Sequence, residues 1–273
     1  NLWDLYDWAQ TPYHWQKELF EHAKKIGITI ISTPFDETAV DLLESLDCPF
    51  YKVASFELTD LPLIKYIAET KKPMILSTGM ANEEEIEEAM NVVNKYGCGD
   101  FILLHCVSGY PTPVEEINLD TITLLKKKFK CEIGLSDHTL GNTSAILSIA
   151  LGAKVIEKHF TFDRSEGGPD AEFSMEPHEL KDLSENISLA HKAIGVGSFE
   201  MKSAEESNIK FRRSIYVVKN IKEGETLTKD NVRRIRPGYG LKPKEYEKLI
   251  GSIANKDLDK GTPLKKDDFI KNS

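Results

Sequence analysis

Apolar positions along this chain fall into two alternating rhythms up to about residue 195. Short runs rich in Val, Ile and Leu at 28–33, 50–55, 73–78, 101–106, 131–136 and 154–160 have the length and composition of buried strands. Between them the apolar residues return at helical spacing. Trp15, Leu19, Ala23 and Ile26 share one face of a helix over 11–27, with Thr11 as N-cap, Pro12 at the first helical position and Gly27 as its end. Ala39, Val40, Leu43 and Leu46 form the next stripe, which Cys48-Pro49 breaks. Leu63 and Ile67 mark a helix starting at Asp60. Ile86, Ala89, Met90 and Val93 follow Asn82, and Glu85 three residues on completes a capping box. Further helices are expected over 119–129, over 143–151 and along Leu180, Leu183, Ile187, Ala190 and Ile194. Trp3, Trp8 and Trp15 read as packing residues. Strict alternation with apolar strands predicts an α/β fold, a parallel sheet covered by helices. A closed (β/α)8 TIM barrel needs eight strands in about 250 residues. Six strands and a lone leading helix therefore predict a barrel lacking its first two strands in this chain; an open doubly wound sheet is the alternative.

After Gly195 the rhythm changes. Residues 196–211 are polar and carry no stripe, which predicts a linker between a domain at 1–195 and a second at 212–273. Within the second, 221–232 and 258–269 look alike: Gly224 matches Gly261, Leu227 matches Leu264 and Asp230 matches Asp267. Two copies of one turn-and-strand unit predict a small, pseudo-symmetric, β-rich domain.

Composition narrows the partners. The 273 residues are 40% hydrophobic, enough for a sizeable core, and carry a formal charge of −9. That sign argues against nucleic acid and against an anionic membrane as partner, while leaving room for a small anion gathered by local Lys and Arg. Cys48, Cys98, Cys106 and Cys131 form no C-x-x-C pair, so reduced thiols in a cytoplasmic protein are expected. No apolar stretch approaches the roughly 20 residues of a membrane span.

Chemistry gathers where strands end. Polar residues close nearly every apolar run: Thr33; Lys52, Ser55 and Glu57; Ser77, Thr78 and Gly79; His105, Ser108 and Tyr110; Ser136, Asp137 and His138; Glu157, Lys158 and His159. In a barrel these ends form the active-site face. His138 and His159 close two successive runs, so parallel neighbours would bring both imidazoles to one metal ion; hydrogen-bonded core histidines are the plainer alternative. Lys52, Ser55, Ser77, Thr78 and Ser136 resemble an anion cradle, with Gly79 admitting a close backbone approach, although Ser77 and Thr78 could equally cap the helices that follow. Glu57 and Glu157 are acid/base candidates. Asp170, in Gly167-Gly168-Pro169-Asp170, could reach a substrate hydroxyl or serve only its turn.

Taken together, YKVAS-x-E at 51–57, ILSTGM at 75–80, LLHC and YPTP within 103–113, GLSDHT at 134–139, EKHFT at 157–161, GGPD at 167–170 and RPGYG at 236–240 resemble the motifs of the sialic acid synthase family. The resemblance implies condensation of phosphoenolpyruvate with an amino-sugar aldehyde to give a nine-carbon 2-keto acid and phosphate. It also implies a barrel joined to a small antifreeze-like (SAF) domain in a domain-swapped homodimer. Carried over by position, it implies His138 and His159 as ligands of a divalent ion, Mn2+ or Mg2+. Phosphoenolpyruvate would rest on Thr33, Lys52, Ser55, Ser77 and Ser136. Glu57 would be the acid/base, with Glu157 the second candidate. Tyr110 and Asp170 would contact the sugar, and Arg236 would reach its N-acyl group across the dimer. Residues 54–57, 6–15 and 164–170 are closer to pseudaminic acid synthases than to N-acetylneuraminate synthases, which implies 2,4-diacetamido-2,4,6-trideoxy-L-altrose as the sugar; N-acetylneuraminate or legionaminate synthesis is the alternative. Outside the family, a metal-dependent hydrolase or a carbohydrate-binding module would be the competing classes.

Overall fold

The computed structural model describes residues 1–270 and divides into two compact units, Asn1–Gly195 and a second starting at Val196. The first opens with α1 (Leu2–Ala9) and α2 (Tyr13–Ile26). The first of these was not expected from the sequence. Helix α2 starts beyond Thr11: Pro12, with an extended ψ of 136°, stands at the N-cap, and no side chain caps the helix. Helix α3 (Glu37–Ser45) is capped by Asp36, whose carboxylate accepts from the Ala39 amide.

Strand and helix then alternate: β1 (Tyr51–Val53), α4 (Leu61–Glu69), β2 (Met74–Ser77), α5 (Glu83–Tyr96), β3 (Phe101–Cys106), α6 (Thr121–Phe129), β4 (Glu132–Asp137), α7 (Thr143–Ala150), β5 (Ile156–Lys158) and α8 (Pro177–Ile194). The strands form one parallel sheet in the order of the chain, as βαβ crossovers require. The expected capping box is formed: the Asn82 side chain accepts from the Glu85 amide at 3.0 Å, and Glu85 accepts from the Asn82 amide at 2.8 Å. This arrangement is a half-barrel of five strands, one fewer than the six expected. The run 28–33 forms no ladder among the described residues, although Ile31 packs against the core. A parallel strand of this kind is held by a paired neighbour and by cover on both faces, and Ile28 is exposed. Trp3, Trp8 and Trp15 are exposed as well, contrary to the packing role expected of them, because nothing among the described residues of the unit covers them.

Register divides the sheet into two faces. Tyr51, Val53, Met74, Leu76, Leu103, Ile133, Leu135 and Ile156 all belong to, or pack on, the core formed with helix residues such as Val40, Ile64, Ala89 and Ile122. The period-2 alternation of a strand sends their neighbours the other way. Lys52, Ser77, Cys106, Ser136 and Glu157 therefore share the second face, with Cys106 paired to Ser136 and Ser136 to Glu157.

The second unit begins with α9 (Ser203–Glu206) and a 3-10 turn at Ile209–Phe211, within the stretch expected as a linker. It continues through antiparallel β6 (Ser214–Val217) and β7 (Val232–Ile235), then α10 (Tyr246–Leu249), β8 (Ile253–Ala254) and β9 (Phe269–Ile270). The repeat seen in the sequence is real geometry. Gly224 and Gly261 take φ of 86° and 94°, and Leu227 and Leu264 are both fully buried in one core. Asn231 accepts from the Thr228 amide at 2.7 Å, and Asp268 repeats that bond with the Lys265 amide at 2.7 Å. Ile221 and Leu258 exchange both backbone bonds between the copies.

Candidate functional site

The second face of the sheet carries a connected polar cluster at the carboxyl ends of its strands. Lys52, on β1, is 6% exposed and donates to the Val53 carbonyl at 3.1 Å. Its ammonium lies 3.6 Å from Glu157, and the other oxygen of Glu157 accepts from the Ser136 hydroxyl at 2.7 Å. Burial pulls the Lys52 pKa down while the Glu157 carboxylate partly restores it. After β1 a 3-10 turn at Ser55–Glu57 turns Ser55 and Glu57 into the same region. The Ser55 hydroxyl accepts from the Gly79 amide at 3.1 Å. Gly79 has to be Gly: a Cβ there would lie 2.2 Å from the Ser108 hydroxyl and 2.7 Å from that of Ser55.

Two buried oxygens in this region have no partner among the described residues, Oε2 of Glu57 and the hydroxyl of Ser77. Unsatisfied buried polar atoms are rare in native proteins, and a ligand is one standard reason for them. Burial raises the Glu57 pKa above the ordinary carboxylate value, which makes its carboxylate a stronger base. Neither Ser77 nor Thr78 caps a helix: Thr78 donates to the Leu104 carbonyl, and Asn82 caps α5.

The two histidines meet. Their ring centroids are 5.2 Å apart, with Tyr110 4.4 Å from the His138 ring and 5.9 Å from the His159 ring. Nδ1 of His138 lies 2.9 Å from the Val107 carbonyl, which can only accept, so that nitrogen carries the proton and Nε2 keeps its lone pair. Nδ1 of His159 faces the Asp170 carboxylate at 3.4 Å, so the same ring nitrogen has an outer partner there. Outer partners on Nδ1 that leave Nε2 free are the arrangement metal-binding histidines use, so these residues fit a divalent ion. Burial lowers the His159 pKa, which keeps the ring neutral. At His138 burial also pulls downward, but the Cys106 thiol and the Val107 carbonyl outweigh it.

Cys106, expected only as a reduced thiol, and Ser108, one of the polar strand-end residues, stand between the two halves of the cluster. The Cys106 sulfur is 3.4 Å from the Ser55 hydroxyl and 3.9 Å from Nδ1 of His138. Phe173 packs on the rings of Tyr110 and His159. Register could have found Cys106, because it pairs with Ser136 on the same face; Phe173 comes from a loop with no such signal. His105, by contrast, points to the helix side and bonds the Ile117 carbonyl at 2.6 Å. Of the other expected residues, Thr33 is half-buried and makes no hydrogen bond to the cluster. Arg236 is exposed just beyond β7 in the second unit.

Among the described residues, one three-residue group, Glu176, His178 and Glu179, has ligand atoms within 4.8 Å of one another. Its carboxylates already serve the first turn of α8 and Arg164: the Arg164 amide donates to Glu176 at 3.0 Å, and the guanidinium engages Glu179.

Comparison with known proteins decides the family. Residues 1–199 match the model of the NeuB family, and residues 212–270 match the SAF domain. The chain belongs to the NeuB family. It is 43% identical over 271 residues to the pseudaminic acid synthase of Helicobacter pylori, covering 98% of this chain and 79% of that one. It is 46% identical over 243 residues to the N,N'-diacetyllegionaminic acid synthase of Campylobacter jejuni, covering 88% of this chain and 73% of that one. Among solved structures, an N-acetylneuraminic acid synthetase from Leptospira borgpetersenii, in complex with citrate, superposes with a TM-score of 0.71 at 36% identity, over 76% of this chain and 72% of that one. The half-barrel of this NeuB-family chain thus has relatives that are pseudaminic, N,N'-diacetyllegionaminic and N-acetylneuraminic acid synthases. No helix among its described residues is long and apolar enough to cross a membrane.

Proposed function

We propose that this NeuB-family protein condenses phosphoenolpyruvate and an open-chain amino-sugar aldehyde into a nine-carbon 2-keto acid, releasing phosphate. One observation carries the reading: an anion cradle and a pair of Nε2-free histidines adjoin on one face of the sheet. In the cradle, the buried Lys52 ammonium and the Ser55, Ser77 and Ser136 hydroxyls hold phosphoenolpyruvate, with the unpartnered Ser77 hydroxyl donating to it. Lys52 neutralises charge on the anion where little water competes, so the contact is stronger than at a surface. Thr33 is assigned to the same ligand. His138 and His159 would hold Mn2+ or Mg2+, and such an ion supplies Lewis acidity toward an aldehyde oxygen. Tyr110 and Asp170, which flank the histidines, orient the sugar so that its C1 meets C3 of phosphoenolpyruvate.

Carbon–carbon bond formation leaves C2 electron-poor. Water adds there, and Glu57 takes its proton; Glu157, held by Lys52 and Ser136, is the second candidate for that role. The tetrahedral carbon then expels phosphate by breaking its C–O bond as its new hydroxyl gives up its proton to the departing phosphate and becomes the 2-keto oxygen, while the proton held by the Glu passes to the former aldehyde oxygen, which becomes a hydroxyl. Arg236 would reach the N-acyl group of the sugar from the second unit of a partner copy in a homodimer. Identity to the pseudaminic acid synthases spans nearly the whole chain and favours 2,4-diacetamido-2,4,6-trideoxy-L-altrose; the 46% identity to a legionaminic acid synthase supports its diacetamido counterpart as a second reading. Turnover in 18O-water with a panel of amino sugars tests both points. Label is expected in the 2-keto acid and absent from the phosphate, and label in the phosphate would refute the reaction course.

A further inference from the structure

On the helix side of the sheet, where the other strand residues are mostly apolar, β4 and β5 end in an ion pair. Lys158 lies 3.1 Å from Asp137, with side chains 4% and 0% exposed, and among the described residues no other ion pair has both partners so deeply buried. The two residues are direct register partners across the ladder. Each immediately precedes one of the paired histidines, so strand alternation puts the ion pair on one face and His138 and His159 on the other.

The bonding goes beyond a single contact. The Lys158 ammonium also donates to the carbonyls of Thr139 at 2.7 Å and Gly141 at 3.2 Å, which occupies all three of its hydrogens. The second oxygen of Asp137 accepts from the Thr139 amide at 2.9 Å and hydroxyl at 2.8 Å. That hydroxyl in turn is 3.0 Å from Ser144 at the start of α7. The backbone on both sides of His138 is thereby pinned to the residue that precedes His159. A buried ion pair adds little to stability compared with apolar residues of the same shape, so its occurrence at this one place calls for a positional explanation.

We infer that Asp137 and Lys158 are positioning residues that set the separation and orientation of the two imidazoles, and through them the affinity for a divalent ion. This rests on the proposed ion site. Neither residue touches substrate.

The test uses the full chain and Mn2+ alone. Free Mn2+ is measured by electron paramagnetic resonance, phosphoenolpyruvate binding without metal by calorimetry, and the imidazole tautomers by long-range proton–nitrogen NMR. Lys158→Met removes a residue that holds the backbone beside both ligands rather than a partner of either imidazole, and is expected to weaken Mn2+ binding about 10-fold, the low end of the losses for residues that orient metal ligands from outside. It should leave phosphoenolpyruvate affinity unchanged and should disperse the single Nδ1–H signal expected of His138 in the parent. Because one buried charge left alone destabilises, the double variant Asp137→Leu, Lys158→Met serves as the control. It is expected to regain the thermal midpoint while Mn2+ binding stays weak. Recovery of Mn2+ affinity together with the midpoint, or imidazole signals unmoved by Lys158→Met, would overturn the inference. A His138→Ala variant with parental Mn2+ affinity would instead sink the ion site itself, a separate result.

Discussion

Replacing Lys52 with Met separates the anion half of the site from the rest. The methionine side chain fills most of the lysine stem, and the site is buried, so the packing loss is small. Glu157 loses its ammonium partner at 3.6 Å, yet it is 40% exposed and keeps the Ser136 hydroxyl, so water covers most of that loss. The stability cost is therefore about 1 kcal/mol or less. Binding changes more. A charge-assisted hydrogen bond contributes about 1.5–3 kcal/mol, and 1.4 kcal/mol is a factor of ten. The KM for phosphoenolpyruvate should rise about 10- to 150-fold, with the KM of the sugar little changed. There is also a pH signature. Burial lowers the Lys52 pKa, so the ammonium is lost, and phosphoenolpyruvate affinity with it, at a lower alkaline pH than for a free lysine near 10.4. That alkaline limb should vanish in Lys52→Met. Initial rates of phosphate release at saturating sugar, with thermal unfolding alongside, make the measurement. A phosphoenolpyruvate KM within twofold of the parent at an unchanged thermal midpoint would refute the cradle.

Glu57→Gln should lower kcat by about 10^2 to 10^4, the range for loss of a general base, with the fold intact. Burial raises the folded-state pKa of Glu57 above its unfolded value, so the folded protein binds the extra proton. Stability contributed by this group is present below the unfolded pKa and is lost as pH rises through the folded one. The Gln variant should thus equal or exceed the parent in denaturant unfolding at neutral pH, and a parental kcat would remove Glu57 from the chemistry. Gly79→Ala drives a methyl group against the hydroxyls of Ser108 and Ser55, so the chain should lose about 1–3 kcal/mol of stability through overpacking, and phosphoenolpyruvate KM should rise about tenfold. Saturation kinetics and denaturant melts would read both, and a parental KM would show that Ser55 does not hold the anion.

Elements with strong local grammar were legible in the sequence. The Asn82–Glu85 box, the helix starting at Asp60, and the paired Gly224 and Gly261 turns each follow from a few neighbouring residues, and each appears in the structure. The run 28–33 failed for the opposite reason. Its composition is that of a buried strand, but a strand exists by its ladder, and no local pattern states whether a partner stands beside it. Trp3, Trp8 and Trp15 failed alike: apolar spacing names the face that seeks cover and says nothing of what supplies it.

The candidate site shows where the same kind of reading could have gone further. The polar residues at strand ends are not one set, because residues one apart in a strand face opposite ways. Sorted by parity, Ser136 and His138 go with Glu157 and His159, while Asp137 goes with Lys158. The structure bears out that division: Ser136 bonds Glu157, the histidine rings stand 5.2 Å apart, and Asp137 pairs with Lys158 behind them. The alternating code therefore holds two messages on two adjacent strands, one written toward the ligand and one toward the helices. Because the second message consists of charges on a face that is otherwise mostly apolar, any loosening of it must be felt first by the imidazoles one residue away.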